Sequence, residues 1–393
     1  MSFLKMNSLK IKNNLSKNEK KNRKIKIVLC ANTSWYIYNF RKNTIIALID
    51  NGCDVIVVAP YDDYVEDLIK LGARHFSFYL NGRSINLFKE LFSLLNLVFI
   101  YIYLRPHAVM NFTPKMNIYG TFASSIVRSK AINNISGLGT AFTKKSLFSD
   151  FIIMLYKASQ LFATKVFFQN MHDKKLFIDN KILTEDRCDL IPGSGVDLNL
   201  FYSKPSSDDG VVRFLIVCRM LYEKGILSFV EASGFLRKKY GKKVEFQALG
   251  FLDDTNNAAV SHKVMNEWVS KGLISYLGVT KDVRPYLANS DCVVLPSIYP
   301  EGVPRSLLEA AAMGKPIVTT NTAGCSFTVD DGENGFLCHP GSTKDLINKL
   351  EKIINLGHEG RTQMGNKSRV KAENEFSEQI VIDKYIQSLS LIK

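Results

Sequence analysis

The sequence predicts an α/β protein made of two doubly wound parallel sheets in series, each covered by helices on both faces. Three features carry that prediction. Short apolar runs bounded by turn residues alternate with stretches of helical periodicity, the β-α-β-α signature of parallel sheets. The runs are nearly continuous instead of alternating, as strands buried on both faces must be. The alternation also halts at a polar stretch, Ser203 to Gly210, and then restarts, which divides 393 residues into two domains of ordinary size.

The order of elements follows from the apolar pattern. Residues 1–23 read as a basic flexible arm: Met1 to Lys26 hold nine Lys/Arg against one acid, Glu19. Residues 24–202 then form a first domain. Its strands are expected at Lys24–Ala31, Asp54–Ala59, His75–Leu80, Ala108–Phe112, Ala131–Ile135 and Lys165–Phe168. Helices fall between them, at Lys42–Asn51 and Asp63–Leu71 and again at Ser84–Leu104. The last of these is apolar nearly all round, so it either packs on the sheet or presents a face to a bilayer surface. Residues 203–375 repeat the pattern as a second domain, with strands at Val212–Cys218, Val244–Leu249, Ile274–Leu277, Asp291–Leu295 and Pro316–Thr320. Residues 376–393 form a closing helix that can return to the first domain.

Composition excludes several classes. The net charge of +14 sits largely at the N-terminus, where it suits an anionic membrane surface better than a nucleic-acid site. Leu91–Leu104, the longest uncharged apolar run, has 14 residues, short of the ~20 a membrane span needs. Neither a secretory leader nor a paired-cysteine framework is visible; seven isolated cysteines fit a reducing cytoplasm. The loop after the first strand, Asn32 to Arg41, has no glycine, which removes the dinucleotide fingerprint from the one place it should occur.

Chemistry concentrates at strand ends, where open parallel sheets bind ligands. After the strand ending at Leu295, a loop and a helix start carry Glu301 and Glu309. Glu309 lies in Leu-Leu-Glu-Ala-Ala-Ala-Met, where a carboxylate is costly unless something hydrogen-bonds to it. The amides of Gly302, Val303, Pro304-Arg305, Ser306 and Leu307 lead into that helix, whose positive end suits an anion. Arg219 and Lys224 leave the first strand of the same domain; a guanidinium and an ammonium beside a helix start match a diphosphate. In the first domain, Lys115 is the one cation of a strand-to-helix turn, and Gly137 and Gly139 permit close backbone approach to a ligand. His107 precedes its strand and reads as structural.

Together these residues resemble glycosyltransferase family 4, the retaining nucleotide-sugar transferases of GT-B fold. The Arg219…Lys224-Gly225 element, Gly195-Val196-Asp197, the Glu301/Glu309 pair and Asp331-Gly-Glu-Asn-Gly-Phe-Leu carry the likeness. Tyr38-Asn39-Phe-Arg41, Pro114-Lys115-Met-Asn117, Asn134-Ile-Ser136-Gly137-Leu-Gly139 and Gln169-Asn170 are similar to transferases that extend a sugar on undecaprenyl diphosphate, some adding N-acetylgalactosamine in α-1,3 linkage. The resemblance implies two Rossmann-like domains facing a cleft, a UDP-sugar donor and no metal cofactor. Arg219 and Lys224 would hold the diphosphate, Glu301 the hydroxyls of the moving sugar and Glu309 the ribose. Gly195 and the Gly302–Leu307 backbone would complete the donor side. Tyr38, Asn39, Arg41, Lys115, Asn117, Ser136, Gly137, Gly139 and Asn170 would face a polyprenyl-diphosphate-linked acceptor at the inner face of the bacterial inner membrane. A same-fold UDP-sugar 2-epimerase and a non-catalytic membrane-surface protein are the competing readings.

Overall fold

The computed structural model describes residues 24–80, 86–138, 147–204, 207–256 and 258–392. The basic arm at 1–23 and Gly139 lie outside the described residues. The first domain carries β1 (Lys26–Cys30), α1 (Ser34–Asp50), β2 (Asp54–Val58), α2 (Val65–Lys70), β3 (Arg74–Phe76), α3 (Leu87–Leu104), β4 (Ala108–Asn111), α4 (Pro114–Ile126), β5 (Lys130–Ile135), α5 (Leu147–Gln160), β6 (Ala163–Phe168), α6 (Met171–Asp179) and β7 (Cys188–Leu190). The sheet order is β3-β2-β1-β4-β5-β6-β7. The second domain carries β8 (Val212–Val217), α7 (Ile226–Tyr240), β9 (Val244–Leu249), α8 (His262–Ser270), β10 (Ser275–Tyr276), α9 (Arg284–Asn289), β11 (Cys292–Leu295), α10 (Arg305–Ala312), β12 (Ile317–Thr320), α11 (Ala323–Ser326) and β13 (Gly335–Cys338), in the order β10-β9-β8-β11-β12-β13. Three closing helices follow: α12 (Thr343–Asn355), α13 (Gly357–Lys371) and α14 (Glu378–Ser388).

Every strand pairing is parallel. In each sheet the chain winds outward from its first strand, then jumps back beside it. The jumps create switch points between β1 and β4 and between β8 and β11, where two loops diverge and leave a crevice. The central strands are fully buried, as the apolar runs require: β4, β11 and β12 have every residue inside.

Two expectations need correction. The third strand pairs only over Arg74–Phe76; residues 77–80 leave the ladder. The crossing between domains also lies earlier than the polar stretch at 203–210. Val196 and Phe201 are buried in the second domain's core, and Val196 N–H donates to the Phe376 carbonyl at 2.9 Å while Glu378 N–H donates back to Val196 at 3.0 Å. The two strands of chain that link the domains are thus tied to each other. Beyond them α14 packs on the first sheet: the Tyr385 ring lies 5.3 Å from Phe167, and its hydroxyl accepts from Asn134 Nδ2 at 2.9 Å.

Candidate active site

The donor side forms where the loops after β8 and β11 meet at the switch point. Gly225, at φ +77°, makes the meeting possible: a Cβ there would lie 2.0 Å from the Pro296 carbonyl oxygen. No side chain but hydrogen lets the two loops touch. Lys224 Nζ consequently reaches the Glu301 carboxylate and pairs with Oε2, the side chains being only 14% and 12% exposed. Ser297 Oγ donates to the other carboxylate oxygen at 2.6 Å. Glu301 is therefore fixed by a cation and a hydroxyl before any ligand arrives. Arg219 is exposed on the neighbouring loop, with no side-chain hydrogen bond or ion pair among the described residues.

One turn into α10 stands a second locked carboxylate. Glu309 Oε1 accepts from Arg305 Nε at 2.8 Å, the (i, i+4) neighbour on the same helix face. Arg305 is held in turn: Nη1 donates to Ser194 Oγ at 3.1 Å, and its guanidinium lies 5.4 Å from the centre of the Phe40 ring. Burial pushes the Glu309 carboxyl above the usual glutamate range, and the Arg305 cation pulls against that rise. The N-terminus of α10 carries no side-chain cap, so its first N–H groups are available to an anion. Of the predicted backbone donors, Val303 N–H is already given to Gln169 Oε1 at 3.1 Å and Leu307 N–H to the Pro304 carbonyl at 3.1 Å. Gly302 serves a contact, and Arg305 and Ser306 begin the helix.

Across the cleft, the first domain touches this motif with the loops after β5 and β6. A Cβ on Gly302 would lie 2.5 Å from the Ser136 carbonyl oxygen and 2.3 Å from Gln169 Oε1. One on Gly137, at φ +113°, would lie 2.8 Å from Gly302 N. Asn170 Nδ2 donates to the Glu301 carbonyl at 3.4 Å, while its Oδ1 caps α6 through Asp173 N–H at 2.7 Å. Ser136, Gly137 and Asn170 thus sit within touching distance of the Glu301–Val303 backbone.

The remaining predicted residues are placed differently. Gly195 packs against the return crossing, where a Cβ would lie 2.3 Å from Glu378 Cα; the structure assigns it to the domain junction and not to the donor loop. Lys115 is paired with Glu90 at 2.8 Å. Asn117 is buried and donates to the Asn134 carbonyl at 2.9 Å. Arg41 is 1% exposed, its guanidinium 4.7 Å from the Phe112 ring centre and 5.6 Å from that of Tyr385. Arg41 and Asn117 lie on the inward faces of their helices, and Lys115, partly exposed, is taken up by Glu90. Tyr38 leans on Tyr64, ring centres 5.5 Å apart, and Asn39 Nδ2 donates to the Trp35 carbonyl at 2.9 Å. His107 Nδ1 accepts from Lys26 N–H at 3.0 Å, the structural role expected. Ser297, Ser194 and Gly324 were not among the predicted site residues, nor was Gln169, although it stands beside Asn170 in the motif after β6. A Cβ on Gly324 would meet the Gly302 oxygen at 2.0 Å, so α11 also closes on the loop.

The second domain and the two-domain fold resemble known proteins. Residues 212–355 match the family described as glycosyl transferases group 1. The N,N'-diacetylbacillosaminyl-diphospho-undecaprenol alpha-1,3-N-acetylgalactosaminyltransferase of Campylobacter jejuni is 29% identical over 335 residues, covering 81% of this chain and 86% of that protein. The capsular polysaccharide biosynthesis glycosyltransferase CapM of Staphylococcus aureus is 28% identical over 76% of this chain and 80% of its own. Among solved structures, Anabaena HepE in complex with UDP and glucose superposes with a TM-score of 0.75 at 18% identity, covering 93% of this chain and 99% of that one. A Thermosynechococcus elongatus sucrose-phosphate synthase does so at 0.77, again at 18% identity, over 94% and 99%.

Proposed function

We propose, for a chain whose residues 212–355 are a group 1 glycosyl transferase domain and which is a glycosyltransferase of two-domain GT-B fold, that it moves a hexose or N-acetylhexosamine from a UDP-sugar to an undecaprenyl-diphosphate-linked saccharide with retention. N-acetylgalactosamine in α-1,3 linkage is the best single choice, because that is the transfer for which the Campylobacter jejuni relative is named. The setting is bacterial surface polysaccharide or glycan assembly at the cytoplasmic face of the inner membrane. One observation carries the reading: Glu301, held by Lys224 and Ser297 at the switch point of the second sheet, has its backbone and that of Gly302 against Ser136 and Gly137 of the loop after β5.

The residues divide the reaction between them. Arg219 and Lys224 take the diphosphate, Glu309 the ribose hydroxyls and Glu301 the hydroxyls of the moving sugar. As the bond from C1 to the β-phosphate oxygen breaks, negative charge grows on the leaving UDP. Lys224, Arg219 and the N-terminus of α10 stabilise it there. The acceptor oxygen then bonds to C1 on the same face, and its proton passes to the departing phosphate oxygen. No protein nucleophile is required. Two cations in place serve the leaving group, so turnover is expected without a divalent ion.

The test is a panel of UDP-sugars against undecaprenyl-diphosphate-linked acceptors, with and without EDTA, read by product mass and anomeric NMR. A single α-linked product, unchanged by chelation, is expected. Epimerised UDP-sugar in the absence of acceptor, or a β-linked product, would overturn the reading.

A further inference from the structure

The outward face of α3 carries an apolar stripe that the donor site does not use. Its inner side packs on the sheet through Leu97, Val98, Tyr101 and Leu104, all buried. The opposite side carries Phe88, Phe92, Leu95, Phe99, Ile102 and Tyr103, exposed to between 48% and 85%. At 3.6 residues per turn these six fall in one stripe about 100° wide running the length of the helix. A single exposed aromatic is unremarkable, but an unbroken apolar stripe of this length is not a feature of a water-facing helix.

The charges around the stripe say what covers it. The helix holds one acid, Glu90, and that acid is turned inward, bound by Lys115 at 2.8 Å and by the Tyr119 hydroxyl at 2.7 Å. Cations stand at the ends. Lys89 is exposed beside Phe88, and Arg105 caps the far end. Ser129 Oγ donates to the Pro106 carbonyl, and Arg128, the residue before Ser129, is exposed. Lys26 Nζ donates to the Leu104 carbonyl at 3.1 Å, so β1 starts at that same end. There the first 23 residues join the described chain, bringing seven Lys/Arg against one acid in their sequence. No described helix is long and apolar enough to cross a membrane. An apolar stripe with a cationic rim and no outward acid fits a leaflet of anionic lipid, with the apolar side chains at the acyl boundary and the cations among the headgroups.

We infer that the outward face of α3 is a monotopic docking surface for an anionic lipid leaflet. Docking lays the first sheet's strands along the membrane, because α3 runs antiparallel to them. The Phe88 end lies on the side of the sheet where the loops reach the cleft. An open crevice lined by Tyr61, Ser77, Tyr79 and Asn96 reaches the middle of α3. The inference rests on the lipid-linked acceptor for its purpose, but its test needs neither donor nor acceptor.

The full-length chain is sedimented with vesicles of phosphatidylglycerol and phosphatidylethanolamine, and with vesicles of phosphatidylcholine alone. The comparison protein is Phe88→Ser/Phe92→Ser/Phe99→Ser, with melting temperature and UDP affinity measured on both. The wild type should pellet with the anionic vesicles and bind phosphatidylcholine at least about tenfold more weakly. The triple variant should lose at least about tenfold in vesicle partition with melting and UDP binding unchanged. Equal partition of the two proteins, equal binding to both vesicle types, or no vesicle binding at all overturns the inference. So does a wild-type dimer in the ultracentrifuge that the triple variant lacks, since the face would then be covered by a second copy. Vesicle binding with a failed acceptor panel would sink the lipid-linked acceptor and leave the docking surface standing.

Discussion

Replacing Lys224 tests the donor site most sharply, because the structure predicts separate consequences for folding and for chemistry. Lys224 and Glu301 are paired at 14% and 12% side-chain exposure, and Ser297 is the other side-chain partner of the carboxylate. Lys224→Met removes the cation and leaves a nearly buried carboxylate with one hydroxyl. Breaking a fully buried pair costs ~3–5 kcal/mol. The residual exposure and the Ser297 hydrogen bond reduce that here to about 2 kcal/mol. Melting should therefore fall by several degrees. Glu301→Gln in the Lys224→Met background removes the unpaired charge, so most of the lost stability should return. Activity should not return: loss of a donor to the leaving diphosphate is worth ~3 kcal/mol or more, a drop of at least about a hundredfold in kcat. Thermal melts and steady-state turnover of the four proteins in the cycle measure both quantities. Wild-type turnover in Lys224→Met would refute the donor assignment. A double variant no more stable than the single would refute the charge coupling.

Two further variants probe the cleft and the ribose site. In Gly302→Ala the new Cβ meets the Ser136 oxygen at 2.5 Å and Gln169 Oε1 at 2.3 Å, about an ångström closer than ordinary contact, so the domains must part. A misplacement of that size costs about a hundredfold in kcat while UDP affinity, set within the second domain, stays near wild type; unchanged turnover by steady-state assay would contradict the cross-cleft site. Glu309 titrates above the ordinary glutamate range because of burial. Its carboxylate alone can accept both ribose hydroxyls, so acidification through that raised pKa should erase the advantage in UDP affinity that wild type holds over Glu309→Gln. The folding term has the opposite sign: a raised pKa means the folded state holds the proton more tightly, so this group's contribution to stability declines as pH rises. Calorimetric titration of both proteins across pH 4 to 8 checks the binding claim, and an affinity gap that does not change with pH would contradict it.

How far the sequence reveals such a site depends on where a residue sits relative to a strand end. Strands buried on both faces, such as β4 and β11, announce themselves as apolar runs, and the loops just beyond them are then placed without further information. Arg219, Lys224 and Glu301 were legible for that reason. Elements of three residues at sheet edges, β3 and β7, carry too little pattern to be bounded. The bridge between Val196 and Ser377 joins positions far apart in the chain and has no local signal.

The acceptor side separates the two cases within one domain. Ser136, Gly137 and Asn170 lie in loops or at a helix cap, and all three reach the Glu301–Val303 backbone. Lys115, Asn117 and Arg41 come from motifs of equal apparent quality, yet each lies inside a helix that begins at a strand end. There the 3.6-residue period, and not the strand, decides direction. It turns Asn117 into the buried amide network against Asn134, Lys115 onto Glu90 and Arg41 between two rings. Glu309 passes the same criterion from the other side: it is helical, but it shares a face with Arg305, which reaches Ser194 and Phe40 at the domain junction. A polar residue after a parallel strand is therefore a site candidate when it is in the loop, or when its helix face is shared with a residue that already crosses the cleft. By that rule Gln169 joins the acceptor side, while Arg41, Lys115 and Asn117 serve the framework, Asn117 through the Asn134 carbonyl just before Ser136.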